Sequence, residues 1–263
     1  MFRHEYFIAQ KMGVKQGDVL LDLGCGVGGP QRNLARFTEA TIIGLNNNDV
    51  QLKRARELTA QQKLEKLCPY IKADFMNIPK DDNSLDGAYQ IEATCHAPEK
   101  VPLYKEIFRV LKPGKYFAGY EWIVTEKYDN KNKEHWRVKK GIEIGNGVAD
   151  LEKPSHILNC LKEAGFEIVY TKDFGTDFDE SLQTPFYADL DGNWSFQGLF
   201  RTHLGFQITH NACKLLEKIK LAPEGTTAVS AMLMQTARDI VEGGKLKIFS
   251  PSFFILAKKP EDK

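Results

Sequence analysis

Cysteine is scarce in this 263-residue chain. The five cysteines are Cys25, Cys68, Cys95, Cys160 and Cys213, and none forms a Cys-x-x-Cys pair. An odd count without paired spacing argues against a disulfide framework or a zinc knuckle, and favours a reducing or cytosol-facing setting. No metal site is expected. An excess of one charge sign is also missing, with 36 basic against 35 acidic side chains. That balance speaks against a dedicated nucleic-acid binder, which carries a basic surplus. Mean hydropathy is −0.38, and no run reaches the ~18 apolar residues of a membrane span. The greasiest stretch, Phe253-Phe254-Ile255-Leu256-Ala257, has the length of a strand. The first residues, Met1-Phe2-Arg3-His4-Glu5, do not form the apolar core of a signal peptide. Repeats and low-complexity tracts are absent. Apolar residues at 42% and charged residues at 27% describe a globular protein.

Strand and helix patterns alternate along the chain. Short apolar runs at 19–23, 41–45, 69–72, 85–91, 116–122, 166–171 and 252–258 predict seven strands. Amphipathic patterns at 3–13, 30–37, 49–62, 98–111 and 155–164 predict helices between them. Lys112-Pro113-Gly114-Lys115 reads as a turn. This alternation predicts an α/β fold, a doubly wound and mostly parallel sheet of about seven strands covered on both faces. About 80 residues separate the sixth and seventh strands, too many for a simple loop. With helices at 209–219 and 225–242 and an aromatic segment from Phe174 to Phe206, this stretch predicts a helical cap insertion. The expected organisation is a core over 1–174, a cap over 175–247, and a final strand and tail over 248–263.

The most informative segment is Asp22-Leu23-Gly24-Cys25-Gly26-Val27-Gly28-Gly29-Pro30. A glycine-rich turn between strand and helix lets backbone approach a ligand, and the helix N-terminus adds amide donors. Asp22 stands two residues before the first glycine, where dinucleotide-binding proteins carry an apolar residue. This arrangement resembles motif I of class I S-adenosylmethionine (SAM) methyltransferases, which implies a SAM site. The implied cofactor-binding residues are Asp22, Gly24, Cys25, Gly26 and Gly28. Asp22 is expected to order the loop and reach the methionine amino group. Asn46 and Asn47 end the second strand where a ribose is expected, in Leu45-Asn46-Asn47-Asn48-Asp49. An amide oxygen there can accept from a hydroxyl without carrying charge. Asp74, in Lys72-Ala73-Asp74-Phe75-Met76, can accept from the adenine amine while Phe75 or Met76 covers the ring. Each segment alone also reads as an ordinary turn or cap.

Further stretches are similar to the sterol 24-C-methyltransferase family. They include Gly44-Leu45-Asn46-Asn47-Asn48-Asp49, Ile91-Glu92-Ala93-Thr94-Cys95-His96-Ala97-Pro98, Tyr120-Glu121-Trp122, Gly145-Asn146-Gly147 and Leu221-Ala222-Pro223-Glu224-Gly225. The resemblance runs from about Arg3 to Pro260. It implies the class I methyltransferase Rossmann-like fold, SAM as cofactor, and a sterol with a side-chain alkene as methyl acceptor at carbon 24. Members of that family carry a further amino-terminal stretch with a Tyr-Glu-Tyr-Gly-Trp-Gly type segment that helps line the sterol pocket. The sequence here does not contain it, so a truncated or short form is expected.

An alkene is a weak nucleophile, and the reaction must manage the carbocation that follows methylation. A dry site with aromatic faces and a carboxylate suits that task. Glu92 and His96 after the fourth strand, and Tyr120 and Glu121 at the end of the fifth, are the implied catalytic residues. Glu92, with His96, is the expected proton acceptor and also borders the cofactor. Trp122, Tyr128 and Trp136 read as core packing as readily as site walls. Phe186, Tyr187, Trp194, Phe196 and Phe200 are expected to pack the cap, and Glu134-His135 with Lys139-Lys140 to form a solvated helix face. Cys25 and Cys95 are expected to be small buried residues without an activated thiolate. The resemblance further implies a peripheral membrane surface, at the endoplasmic reticulum or lipid droplets and facing the cytosol. A homo-oligomer is compatible with it. Two other readings remain open: methylation of another lipid or small molecule, and a non-catalytic SAM-binding protein.

Overall fold

The computed structural model describes residues 2–261 except 180, 182, 193–197 and 199–200. Trp194, Phe196 and Phe200 therefore lie outside the described residues. The seven strands are β1 (Val19–Leu23), β2 (Thr41–Asn46), β3 (Tyr70–Lys72), β4 (Leu85–Ile91), β5 (Leu111–Val124), β6 (Glu167–Asp173) and β7 (Phe249–Lys258). They form one sheet in the order β3-β2-β1-β4-β5-β7-β6. β1 to β5 pair in parallel. Lys259 bonds to Lys115 at one end of β5, and Thr125 bonds to Ile248 at the other. β7 therefore runs antiparallel to β5, and the sheet is mixed. The expected turn at 112–115 is present as an irregularity inside β5: the register steps from Leu85↔Leu111 to Gly87↔Tyr116.

The helices are α1 (Phe2–Met12), α2 (Gly29–Thr38), α3 (Asp49–Gln61), α4 (Lys100–Val110), α5 (Lys133–Asn146), α6 (Pro154–Glu163), α7 (His203–Lys218) and α8 (Thr226–Lys245). By contact the chain divides into two compact units. One comprises Met1–Trp122, Pro154–Lys172 and Pro251–Lys263; the other comprises Ile123–Lys153 and Asp173–Ser250.

The first unit has a core of alternating strand side chains. Leu21, Leu23, Ile42, Ala88 and Phe254 are essentially inaccessible to solvent. Strands covered on both faces read as near-continuous apolar runs, which is why β1 and β2 are legible in sequence. α2 begins at the glycine turn, with Pro30 in its first turn, where the missing N–H costs nothing.

The second unit takes 123–153 as well as the long insertion. α5 is capped by Asn132, whose side chain accepts from Glu134 and His135, and stops at Gly147 in the left-handed region. It packs on α8 through small residues: a side chain at Gly141 or Gly145 would collide with Asp239 or Thr236. Arg137 donates to Asp239 at 2.8 Å and also pairs with Glu242. Lys139 corrects the expectation of a solvated face, its side chain being 11% exposed, whereas Lys140 and Glu134 stay open to solvent. Glu143 is buried and accepts from both lysines at 2.7 and 2.6 Å, and Lys139 also pairs with Asp150. Trp136 is likewise not core, being 55% exposed. Phe186 packs edge-on against Phe249 and Tyr187, a small aromatic cluster inside this unit.

Candidate active site

Four strand ends build one cavity of about 480 Å³ in the first unit. In an open parallel sheet the carboxyl ends of strands supply ligand contacts, because the loops leaving them diverge there. After β1, the amides of Gly24 and Cys25 both donate to the Leu45 carbonyl, at 2.9 and 3.0 Å, which pins the loop to β2. Gly24 has φ +72, and a Cβ on it would stand 2.5 Å from the Cβ of Ala93. Gly26 has φ +55 and open space where a Cβ would go. Both glycines line the cavity.

After β2, Asn46 and Asn47 line the same cavity. The buried Asn46 amide donates to the Gly26 carbonyl at 3.3 Å and to Gln51 at 2.7 Å. Its oxygen accepts from the Asn48 amide at 3.2 Å. This side chain ties the glycine loop to α3, so its hydrogen bonds serve the wall itself. Asn48 caps α3 by accepting from Gln51. After β3, one oxygen of Asp74 holds the Met76 amide at 2.9 Å, a tight Asx turn. Asp74, Phe75 and Met76 all face the cavity.

After β4, Glu92 takes a left-handed backbone, φ 56. A non-glycine residue there is strained and persists only where its surroundings hold it. Here the Glu92 amide donates to the Tyr120 carbonyl at 3.0 Å. The buried Gln90 oxygen accepts from the Ala93 amide at 2.8 Å, and its amide group donates to the Tyr120 carbonyl at 2.8 Å. The chain then turns through a short 3₁₀ segment, Thr94–His96. Glu92 and His96 line the cavity with Ala93 and Pro98. Glu92 as a residue is exposed to solvent, but the protein crowded around its carboxyl pushes it above its ordinary range; the Trp122 indole opposes that shift, and the Glu121 charge adds to it.

The residues fit a SAM-sized ligand. A glycine loop open to the cavity suits close approach of a chain bearing charged ends. Asp74 beside Phe75 and Met76 suits a flat base carrying an amine. Among the described residues, no cluster of His, Cys, Asp or Glu is placed to hold a metal ion.

Residues 21–119 match the family described as "Methyltransferase domain", and residues 196–261 match "Sterol methyltransferase C-terminal". The chain is 47% identical over 260 residues to the cycloartenol-C-24-methyltransferase of Arabidopsis thaliana, covering 98% of this chain and 76% of that one. It is 43% identical over 268 residues to the sterol 24-C-methyltransferase ERG6 of Saccharomyces cerevisiae, covering 99% and 69%. This chain belongs to the sterol 24-C-methyltransferase family. It is thus a SAM-dependent methyltransferase with the class I fold. The fold is shared with solved structures of low identity. One is the geranyl diphosphate C-methyltransferase of Streptomyces coelicolor A3(2), solved with S-adenosyl-L-homocysteine. Its TM-score is 0.68 at 14% identity, covering 98% of this chain and 78% of that one.

Of the residues singled out in the methyltransferase sequence, the structure brings Gly24, Gly26, Asn46, Asn47, Asp74 and Phe75 to one cavity, together with Glu92 and His96. The remaining ones do not face it. Asp22 is buried inside the sheet, in register with Tyr89 on β4. Burial lifts its carboxyl to about 7, with the Tyr89 hydroxyl opposing and the Glu5 charge adding. Cys25 is buried behind the loop, and its thiol is pushed far up by burial, with Asp22 adding. Burial also pushes the Cys95 thiol up to about 12, so neither cysteine is activated. Gly28 opens α2, where a side chain would meet Tyr70 and Arg32. Tyr120 is buried against His4 and Phe254, its hydroxyl donating to the His4 carbonyl at 3.3 Å.

Glu121 is fully buried and accepts from the Thr94 hydroxyl and from Gln90 at 3.4 Å. It braces the turn that carries Glu92 and His96. Sequence reasoning missed Gln90, Thr94 and Gln51. The available signal for Gln90 was an amide at the end of an apolar strand, a buried polar group that must find partners.

Proposed function

We propose that this chain transfers a methyl group to carbon 24 of a sterol side-chain alkene, in sterol biosynthesis, with Glu92 and His96 at the reacting edge. The observation that carries the reading is the meeting of the glycine loop, Asp74 and Glu92 around one cavity, in a chain of the sterol 24-C-methyltransferase family. SAM, when bound, supplies an electrophilic sulfonium methyl. The Gly24–Gly26 loop and Asn47 would hold its methionine and ribose portions, while Asp74, Phe75 and Met76 would hold the base.

The chain's own residues then deal with the acceptor. The alkene attacks without a base, so the demand falls later, when positive charge on the side chain must be discharged by loss of a proton. Glu92 suits that step because its raised carboxyl holds a proton more readily than an ordinary one. His96, on the same wall, offers a route onward to solvent. Glu121 acts through Thr94, holding the turn in place. A sterol acceptor is insoluble, which supports work at a membrane surface, at the endoplasmic reticulum or lipid droplets. No helix of the described residues is long and apolar enough to cross a membrane.

The reading is tested by supplying SAM with a sterol bearing a side-chain alkene and, separately, an unsaturated phospholipid. Methylation of the sterol alone is expected. Methylation of the phospholipid alone would move the chain to another lipid substrate. Tight binding of S-adenosylhomocysteine with no transfer to either would make it a binding protein.

A further inference from the structure

α7 presents its more apolar stripe to solvent. Leu204, Ile208 and Leu215 lie on one face of the helix, continued by Ile219 just past its end, and they are between 52% and 65% exposed. The opposite face, which packs on α8, mixes Phe206 and Cys213 with polar groups. There His210 meets Ser230 at 3.3 Å, and Glu217 accepts from the amides of Gly225 and Thr227 at 2.9 and 2.7 Å. Leu221, beyond the helix, is 75% exposed. Soluble surfaces rarely keep so many large apolar side chains together without something to cover them.

Charge says what covers them. Lys214 and Lys218 lie on one flank of the stripe and Lys220 follows Ile219, all three exposed. None makes an ion pair among the described residues. Glu217, the acid between them, is occupied in capping α8. Only Glu224 remains as an acid on the groove that the three lysines line. An apolar stripe edged by unneutralised lysines is the pattern of a helix lying in a lipid interface. The aliphatic side chains enter the acyl boundary, and the lysines extend to anionic headgroups.

We propose that the exposed face of α7, with Lys214, Lys218 and Lys220, docks the enzyme on the surface of an anionic phospholipid bilayer. The inference rests on the reading of a sterol-handling enzyme at a membrane, and it names the surface that does the docking. A protein partner would not need three unpaired lysines along the edge of the stripe.

The experiment is flotation of the full chain with vesicles of phosphatidylcholine alone and with added phosphatidylserine. The wild-type chain is expected to float with the anionic vesicles and to be released by salt. The double variant Leu215→Asp, Ile219→Asp should lose at least about tenfold in partitioning, from the apolar area withdrawn. The triple variant Lys214→Glu, Lys218→Glu, Lys220→Glu should lose about a hundredfold on anionic vesicles, from three charges near the surface. Both should keep wild-type affinity for S-adenosylhomocysteine by calorimetry, because the cofactor cavity is built in the first unit; that readout shows they are folded. Wild-type flotation by both variants would overturn the assignment and leave a membrane enzyme with another docking face. No flotation of the wild-type chain would overturn both the surface and the membrane reading, while sterol methylation in detergent would still judge the activity. A wild-type dimer in light scattering that the double variant splits, without any effect on flotation, would make the stripe a protein interface and overturn the proposal.

Discussion

Gly24 and Ala93 meet across neighbouring strand ends, so closely that a Cβ on Gly24 would stand 2.5 Å from that of Ala93. The cofactor loop and the turn carrying Glu92 are therefore one packed object, and a change in the first moves the second.

Gly24→Ala should separate these two loops, since the new methyl group meets a side chain and the backbone has φ +72. Affinity for S-adenosylhomocysteine should fall by at least about tenfold and turnover should fall further. Gly26→Leu should fail differently. Its side chain meets no neighbour, but its backbone holds φ +55, so leucine there carries backbone strain while it fills the cavity. Calorimetry and thermal melting together separate the two: the larger fall in melting temperature for Gly24→Ala, which adds a collision with Ala93 to its backbone strain, and a smaller fall with cofactor binding lost for Gly26→Leu. Undiminished binding by both would remove the loop from the cofactor site.

Asp74→Ala should weaken cofactor binding by about ten- to a hundredfold, the worth of one buried hydrogen bond left unmade. Asp74→Asn should weaken it less, because an amide oxygen can still hold the Met76 amide that Asp74 now accepts from at 2.9 Å. A wild-type dissociation constant with lost turnover in Asp74→Ala would place Asp74 in the chemistry.

Glu92 and Glu121 should part company. Glu92→Gln should leave cofactor affinity and melting temperature near wild type and lower turnover by ~10²–10⁴-fold, the usual contribution of a positioned proton acceptor. Thr94→Val leaves the buried Glu121 without the hydroxyl that now donates to it. It should cost ~1–3 kcal/mol of stability, seen as a lowered melting temperature, with a smaller fall in turnover. Equal rates in Glu92→Gln and wild type would return Glu92 to a structural role.

Asp22 should make stability depend on pH. Its carboxyl is raised from 3.8 to about 7, mainly by burial. An acid with a higher pKa folded than unfolded holds its proton more tightly in the folded protein. Its contribution is therefore full below about pH 4, declines as pH rises toward about 7, and levels off above that, a change on the order of a few kcal/mol. Asp22→Asn should flatten the slope of melting temperature against pH in that window. An unchanged slope would show that Asp22 is not the titrating group.

The strands and the glycine loop were legible because buried parallel strands are apolar runs and a tight turn needs glycine; the strand order was not, since an apolar run does not name its neighbours. Asp74 and Phe75 were legible because they follow a strand end directly. Asp22 is buried in register with Tyr89 on β4 and is not among the residues that line the cavity; motif spacing fixes its position in the strand but not its exposure to the cavity. Glu121 alternates inward at the end of β5, and the Thr94 hydroxyl that engages it is 27 residues away in the chain. Lys139 looked solvated although Glu143 stands four residues on, at the spacing of a helical ion pair; Asp150 joins it from the loop after α5. The spacing offers the pair but not the burial of Glu143, which comes from packing between elements.

The most direct measurement supplies SAM with an isotopically labelled methyl group and a sterol bearing a side-chain alkene, and locates the label in the product by nuclear magnetic resonance. The label is expected on carbon 24 of the sterol with wild-type chain, and strongly reduced with Glu92→Gln. A label at any other carbon, or none in a chain that binds S-adenosylhomocysteine, would contradict the account.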